Sequence, residues 1–299
     1  MRVPANGIEI EVDDQGLPNG EPLLLIMGLG MQLVAWPDEL VQELVSRGFR
    51  VLRIDNRDAG LSTGFDHLGV PNLPLIMIGH VFRLPIRAPY TLDDMARDTV
   101  GVLDALGLAR VHVCGASMGG MIAQHIAAKH PERVSSLTLI MTSSGARHLP
   151  QAAPRIRRAL ISRPDGRDRE AVIAHLERIY RLIGSPAFPA DPARLRQRLE
   201  ASVARAWRPA GTARQIAAIA ADGSRAHLLP RISAPTHVIH GEADPLVPVE
   251  AGRELVKHIH GASADFIPGM GHDLPVQLLP RIAEGIAGNA AREAGKVRG

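Results

Sequence analysis

Three residues of complementary chemistry stand in three separate short loops. Ser117 lies in Gly115-Ala-Ser117-Met-Gly119, Asp244 in His240-Gly-Glu-Ala-Asp244, and His272 in Pro268-Gly-Met-Gly-His272. A serine hydroxyl is a weak nucleophile near neutral pH, so it needs a base, and the base needs a third group that holds its tautomer. With Ser117 as nucleophile, His272 as general base and Asp244 as the orienting acid, the set can attack a carbonyl and pass through an acyl-enzyme. The G-x-S-x-G pattern follows the apolar run Val111–Cys114 and precedes an apolar-periodic stretch, as a tight strand-to-helix turn requires. Gly115 and Gly119 then remove the side chains that would collide when the serine is pushed above the sheet. Taken alone, the motif also fits a glycine-rich turn with an incidental serine. The order Ser, Asp, His, each after a different apolar run, argues against that.

Other residues compete for these roles. Glu242 lies earlier in the same turn as Asp244, and Asp273 adjoins His272 where it could not easily face the ring. Of the 13 histidines, His112, His125, His130, His237 and His240 read as strand or helix residues. His258 and His260 form an H-x-H without a third ligand, and neither an HExxH nor a Cys–His cluster occurs, so no metal is expected. An attacked carbonyl also needs donors for its oxyanion. The helix start after Ser117 offers the Met118 N–H, and the loop Met27-Gly28-Leu29-Gly30 offers a second. Gly28 and Gly30 lack the third glycine of a dinucleotide fingerprint, so no organic cofactor is expected either.

The elements that must position these loops are legible as patterns. Gly7–Asp13 alternates apolar and polar residues, as a half-exposed antiparallel strand does. The runs Leu23–Met27, Val51–Ile54, Val111–Cys114, Leu137–Met141, His237–Ile239 and Ala264–Ile267 are mostly apolar, as parallel strands covered on both faces are. Helical spacing recurs over Trp36–Arg47, Thr91–Leu106, Met118–His130 and Pro248–His258. This alternation predicts an α/β fold with a doubly wound, mostly parallel sheet, whose chemistry collects at the carboxyl ends of its strands. Between Ser143 and Leu229 helical stripes occur without a convincing strand. The expected organisation is therefore a core of residues 1–142 and 230–299 with a helical cap at 143–229. Val70–Pro89 is rich in Leu, Ile and Met, with prolines that prevent one long regular element; it reads as an apolar flap over the site or as a loop packed on the core. The tail after Asn289 reads as frayed.

Composition narrows the class. The 299 residues are 45% apolar and 22% charged, in the range of globular chains, with a formal net charge of +3. Arginines after residue 150 alternate with Glu and Asp, as on a solvated helix face, so no nucleic acid is expected. The single Cys114 excludes an intrachain disulfide. The N-terminus lacks a signal-peptide core and no apolar run is long enough to span a bilayer, which reads as a soluble cytoplasmic protein. Leu29, Met118, Leu246 and Val247 near the three loops suggest a largely apolar pocket without a fixed charge, suited to small or medium uncharged esters.

Over roughly residues 3–288 these features resemble the α/β-hydrolase superfamily. Where that family often has His-Gly, this chain has Met27-Gly28, a departure that resembles the aclacinomycin methylesterase group. The resemblance implies that Leu29 and Met118 donate the oxyanion hydrogen bonds, and that Asp55 and Arg57, in Asp55-Asn-Arg57-Asp-Ala-Gly60-Leu-Ser62, brace loops. It implies a small-molecule ester as substrate. A carbon–carbon bond hydrolase or a cofactor-free perhydrolase would use the same three residues, and a non-catalytic ligand-binding protein is the reading from another class. A proline-type aminopeptidase is disfavoured because the cap shows no acidic cluster.

Overall fold

The computed structural model describes residues 1–297 other than 83 and 167. Its strands are β1 (Arg2–Ala5), β2 (Ile8–Gln15), β3 (Glu21–Ile26), β4 (Phe49–Ile54), β5 (Val111–Ala116), β6 (Val134–Ile140), β7 (Thr236–Gly241) and β8 (Ser263–Ile267). They form one sheet in the order β1-β2-β4-β3-β5-β6-β7-β8. Only the β1–β2 and β2–β4 pairs are antiparallel; the remaining pairs are parallel. The helices are α1 (Asp38–Ser46), α2 (Leu73–Phe82), α3 (Leu92–Ala105), α4 (Met118–Lys129), α5 (Pro154–Leu160), α6 (Arg169–Ile183), α7 (Pro192–Arg205), α8 (Pro209–Asp222), α9 (Val249–His258) and α10 (Leu279–Val297).

Side chains alternate across a strand, so a central strand that is apolar throughout feeds two cores. Leu24 and Ile26 of β3 join a cluster with Leu92, Met95, Ile122 and Leu255 of α3, α4 and α9. Leu23 and Leu25 join the opposite cluster with Leu40, Leu44, Ile282 and Ile286 of α1 and α10. The sheet is thus covered on both faces, as its continuous apolar runs predict. Local signals fit: Thr91 caps α3 in a reciprocal capping box with Asp94.

Between β6 and β7 lie α5 to α8, with no strand among the described residues. Helix α7 ends at Arg205 and α8 starts at Pro209, whose ring suits a first turn. On the surface of this insertion Arg196 meets Glu170, Glu177 and Glu200.

Two expectations need correction. Residues 70–89 hold a ten-residue helix, α2, because Pro74 falls in its first turn, where no N–H is required, and Pro85 lies beyond its end. The tail after Asn289, expected to fray, continues α10 as far as Val297; its last two residues lie outside the described residues. Asn289 is itself buried, and its amide donates to the carbonyls of Leu137 and Pro235 at 2.9 and 3.1 Å. No helix among the described residues is long and apolar enough to cross a membrane.

Candidate active site

Ser117 joins the end of β5 to the start of α4 and holds φ 54° and ψ −119°, a conformation that costs an L-residue about 1–3 kcal/mol. Its surroundings enforce it. The Ser117 N–H donates to the Ile140 carbonyl at 2.9 Å, and Thr142 Oγ1 donates to the Ser117 carbonyl at 2.7 Å. A Cβ at Gly119 would stand 2.0 Å from the Ile26 carbonyl oxygen, and one at Gly115 would stand 2.4 Å from that of Gly119. Both motif glycines are therefore required by backbone contact.

The three sequence-identified side chains meet. His272 Nδ1–H donates to Asp244 Oδ2 at 2.7 Å. A carboxylate can only accept, which fixes this tautomer and leaves Nε2 to accept from Ser117 Oγ–H at 3.0 Å. The other oxygen, Asp244 Oδ1, accepts from the amides of Leu246 and Val247, both at 2.8 Å. Asp244 and His272 are buried, whereas Ser117 remains half-buried and open to the cavity. Such a relay can take a proton from Oγ as that oxygen attacks a carbonyl carbon and return it to the leaving group.

The competing residues are placed elsewhere. Glu242 turns outward to Arg253 at 3.5 Å. The Asp273 carboxylate accepts from Ser185 Oγ; burial pushes its acidity down, raising its pKa against the pull of that hydrogen bond. His258 bonds its own helix through the Glu254 carbonyl at 3.0 Å. Among the described residues no three His, Cys, Asp or Glu side chains are grouped as a metal ion would need.

The loop after β3 approaches Ser117 closely. A Cβ at Gly28 would lie 3.1 Å from Ser117 Cβ and 3.6 Å from its Oγ. In this loop the Gly30 N–H donates to Gln215 Oε1 at 2.7 Å and the Met31 N–H to the Gly28 carbonyl at 3.2 Å. Among the described residues, the N–H groups of Leu29 and Met118 have no internal acceptor. Asp55 braces the loop's far side through the Leu33 N–H at 2.7 Å and the Leu61 N–H at 2.8 Å. Arg57 forms a buried pair with Asp98 at 2.6 Å.

Three contributors had no sequence signal. Gln215 belongs to α8 and is separated by 185 positions from the glycine it holds. His240, read as a strand residue, is buried beside the relay. Its Nε2–H donates to the Val247 carbonyl at 2.8 Å and stands 3.6 Å from Asp244 Oδ2; burial lowers its pKa. Ser185, just after α6, accepts from the Gly271 N–H at 2.8 Å, and the His272 N–H donates to the Ile183 carbonyl at 2.7 Å. The histidine loop thus rests on the insertion.

Above Ser117 opens a cavity of about 3770 Å³ between the strand ends, the insertion and residues 70–74 and 84–86. Leu29, Met118, Leu246 and Val247 line it as expected, with Met121 and Ile179. It also carries Arg147, Arg157, Arg163 and Arg198, so the expectation of walls without fixed charge does not hold.

The sheet order, the turn at Ser117 and the loops beyond the strand ends define an α/β hydrolase, and the chain belongs to that family: the model of the alpha/beta hydrolase fold matches residues 21–275. The chain is 30% identical to rhodomycin D methylesterase DauP of Streptomyces sp. (strain C5), covering 91% of each chain. It is also 30% identical to rhodomycin D methylesterase DnrP of Streptomyces peucetius, covering 93% of this chain and 94% of that one. A 2-hydroxy-6-oxononadienedioate/2-hydroxy-6-oxononatrienedioate hydrolase of Cupriavidus pinatubonensis is 29% identical over 88% of this chain and 84% of its own. Among solved structures, a meta-cleavage product hydrolase of Pseudomonas fluorescens superposes with a TM-score of 0.74, covering 98% of both chains at 19% identity, a likeness of fold.

Proposed function

We propose that this chain is a serine carboxylic-ester hydrolase in which Ser117 is the nucleophile, His272 the general base and Asp244 its orienting partner. The observation that carries the reading is the relay of 3.0 and 2.7 Å from Ser117 through His272 to Asp244 at the floor of the cavity. Ser117 Oγ attacks the ester carbonyl as its proton passes to His272 Nε2. The alcohol leaves with that proton, and water, activated by the same imidazole, releases the acid. The N–H groups of Leu29 and Met118 form the oxyanion hole; their lack of internal acceptors and the approach of Gly28 to Oγ support this role. The imidazole must be unprotonated to act, so turnover falls in acid. Residues 143–229 serve as the cap. No metal or organic cofactor takes part.

The reading of an uncharged, largely apolar ester rests on Leu29, Met118, Leu246 and Val247 around the relay, while the arginines of the insertion in the same cavity admit an acidic group elsewhere on the substrate. The cavity is wide and half open, so it also admits acyl groups larger than the small or medium ones expected from the sequence. Together with the two methylesterase relatives, this favours a methyl ester. The second reading, carbon–carbon bond hydrolysis of a dienedioate-type ketone, rests on the relative that is 29% identical.

The test is a panel of p-nitrophenyl esters of graded length, methyl esters of polycyclic acids and vinylogous diketones, run on wild type and variants. Ester turnover is expected to fall about 10⁶-fold in Ser117→Ala and about 10⁴-fold in Asp244→Asn, which sets the wrong tautomer. Near-normal turnover in purified Ser117→Ala would sink the assignment. A preference for diketones over every ester would transfer it to the second reading.

A further inference from the structure

The loop that carries Gly28, Leu29 and Gly30 is not held by the sheet domain alone. Gln215 is fully buried on α8. Its Oε1 accepts from the Gly30 N–H at 2.7 Å, while its Nε2 donates to the Arg57 carbonyl at 2.8 Å. One amide side chain thereby ties the loop after β3 to the loop after β4. Its orientation follows from these partners, because Gly30 offers a donor and Arg57 an acceptor.

The backbone packs to match. Gly30 has φ +66°, and a Cβ there would stand 2.7 Å from Thr212 Oγ1 of the same helix. A Cβ at Gly211 would stand 2.2 Å from the Asp58 carbonyl oxygen. Helix α8 cannot shift freely, since Arg214, one residue before Gln215, holds buried Asp58 through two hydrogen bonds of 2.8 Å. Gln215 therefore acts from a fixed base.

We propose that Gln215 is the positioning residue of the oxyanion hole: by engaging the Gly30 N–H it fixes the Leu29–Gly30 peptide plane and so restricts the φ and ψ of Leu29, through which the adjoining Gly28–Leu29 plane and its N–H are oriented, and the seating of α8 determines whether the Leu29 N–H points at the developing oxyanion. The assignment rests on the ester-hydrolase reading above. Bound to Gln215, the Gly30 N–H is unavailable to substrate, and the loop is held in the turn that leaves the Leu29 N–H free. A donor aimed at developing charge lowers the barrier without tightening substrate in its ground state, so misplacing it lowers kcat and leaves KM nearly unchanged. A side chain that merely stabilised the fold would move melting temperature and leave both constants alone.

The experiment uses the full chain and two variants. Gln215→Met keeps the shape and removes both hydrogen bonds; Gln215→Glu keeps an acceptor for Gly30 and loses the donor to Arg57. Steady-state constants are measured on p-nitrophenyl butyrate, together with inhibition by butylboronic acid, which forms a tetrahedral adduct on a serine. The Gly30 amide shift is followed in ¹⁵N-glycine-labelled protein. In Gln215→Met, kcat is expected to fall about tenfold with KM within about twofold, and the boronate constant to weaken by the same factor as kcat. The Gly30 amide proton should move upfield, and Gln215→Glu should recover most of both losses. Folded Gln215→Met with wild-type kcat and boronate affinity, or with a loss in KM alone, would overturn the assignment. If Gln215→Met does not fold, Gln215→Glu decides: kcat near wild type with an unmoved Gly30 amide supports the role, and a tenfold loss with that amide unmoved overturns it. Wild type is first labelled with a fluorophosphonate. An unlabelled Ser117 overturns the hydrolase reading and this assignment together, whereas labelling with an unaffected Gln215→Met overturns only the assignment.

Discussion

At the scale of single residues, Asp244 shows how one carboxylate serves structure and chemistry at once. Oδ1 accepts two backbone amides and so shapes the Leu246–Val247 wall, while Oδ2 faces the histidine. His240 lies behind it, with Nδ1 buried and without a hydrogen-bond partner. Gly252 packs so closely that a Cβ there would stand 2.7 Å from that nitrogen. A proton on Nδ1 would have no acceptor, and burial lowers the pKa of His240 accordingly. The sign of the consequence follows from linkage. Below the ordinary histidine value near 6.5 the unfolded chain takes up a proton that the folded chain refuses, so stability declines as pH falls, by at most about 1.4 kcal/mol per pH unit for one such group. The decline stops once pH passes the lowered folded value. His112 and His237 are shifted in the same direction, also by burial, and add to it. Urea midpoints measured from pH 7 to pH 5 should therefore fall, and His240→Gln should make the fall shallower. Equal slopes in the two proteins would show that His240 is not part of this titration.

At the scale of elements, the C-terminal turn of α6 is the seat of the histidine loop. Ser185 Oγ accepts from the Gly271 N–H and donates to Asp273, and the Ile183 carbonyl accepts from the His272 N–H itself. Backbone contact is close: a Cβ at Gly271 would stand 2.5 Å from the Gly184 carbonyl oxygen. Helix α6 cannot swing outward as a rigid body without carrying His272 away from Ser117. Ser185→Ala leaves a buried N–H and a half-buried carboxylate without their partner. It should cost about 1–3 kcal/mol in urea unfolding and lower kcat by about tenfold as the ring loses its alignment. Wild-type stability together with wild-type turnover would refute this account of the turn.

For the molecule as a whole, the insertion is joined to the sheet domain by buried charge as well as by apolar packing. Arg205 reaches Asp55 at 2.7 Å and Gln32 Oε1 at 2.7 Å. Arg214 reaches Asp58 at 2.8 Å with side-chain exposures of 1% and 0%, and also holds Asp66 and the Gly69 carbonyl, each at 2.7 Å. Burial opposes the charge on Asp58, but Arg214, the Phe65 N–H and Tyr90 outweigh it and hold that carboxyl below its usual range. Removing one member of such a pair strands the other in the interior. Arg214→Met should destabilise the protein by about 3–5 kcal/mol and loosen residues 66–69, where the segment over the cavity begins. Urea unfolding and proteolysis near Gly69 measure both effects. A loss below about 1 kcal/mol, the median for exposed pairs, would mean that solvent already reaches the Asp58 pair.

What the sequence determined by itself was whatever has a local cause. Continuous apolar runs demanded strands covered on both faces, and Gly-Ala-Ser117-Met-Gly between such a run and a helical stripe demanded a turn that only small flanking residues allow. Asp244 and His272 were legible because each directly follows a strand of a parallel sheet, which delivers every such loop to the same edge. Helix α2 was hidden because an apolar segment with proline reads alike as loop or helix until one sees that Pro74 occupies the first turn. The continuation of α10 beyond Asn289 was hidden because the acceptors of that side chain, the Leu137 and Pro235 carbonyls, lie on other elements. Gln215, Ser185 and His240 have ordinary local surroundings. For Gln215 and Ser185 the contribution comes from partners that only the tertiary fold brings within hydrogen-bond reach, 185 positions away for Gln215 and 86 and 88 for Ser185; for His240 it comes from the fold of its own loop, which brings the Val247 carbonyl back to the ring. The cavity walls were decided in the same way, since the arginines that enter it sit on the inserted helices and the loops beside them, whose placement follows from packing against the sheet edge.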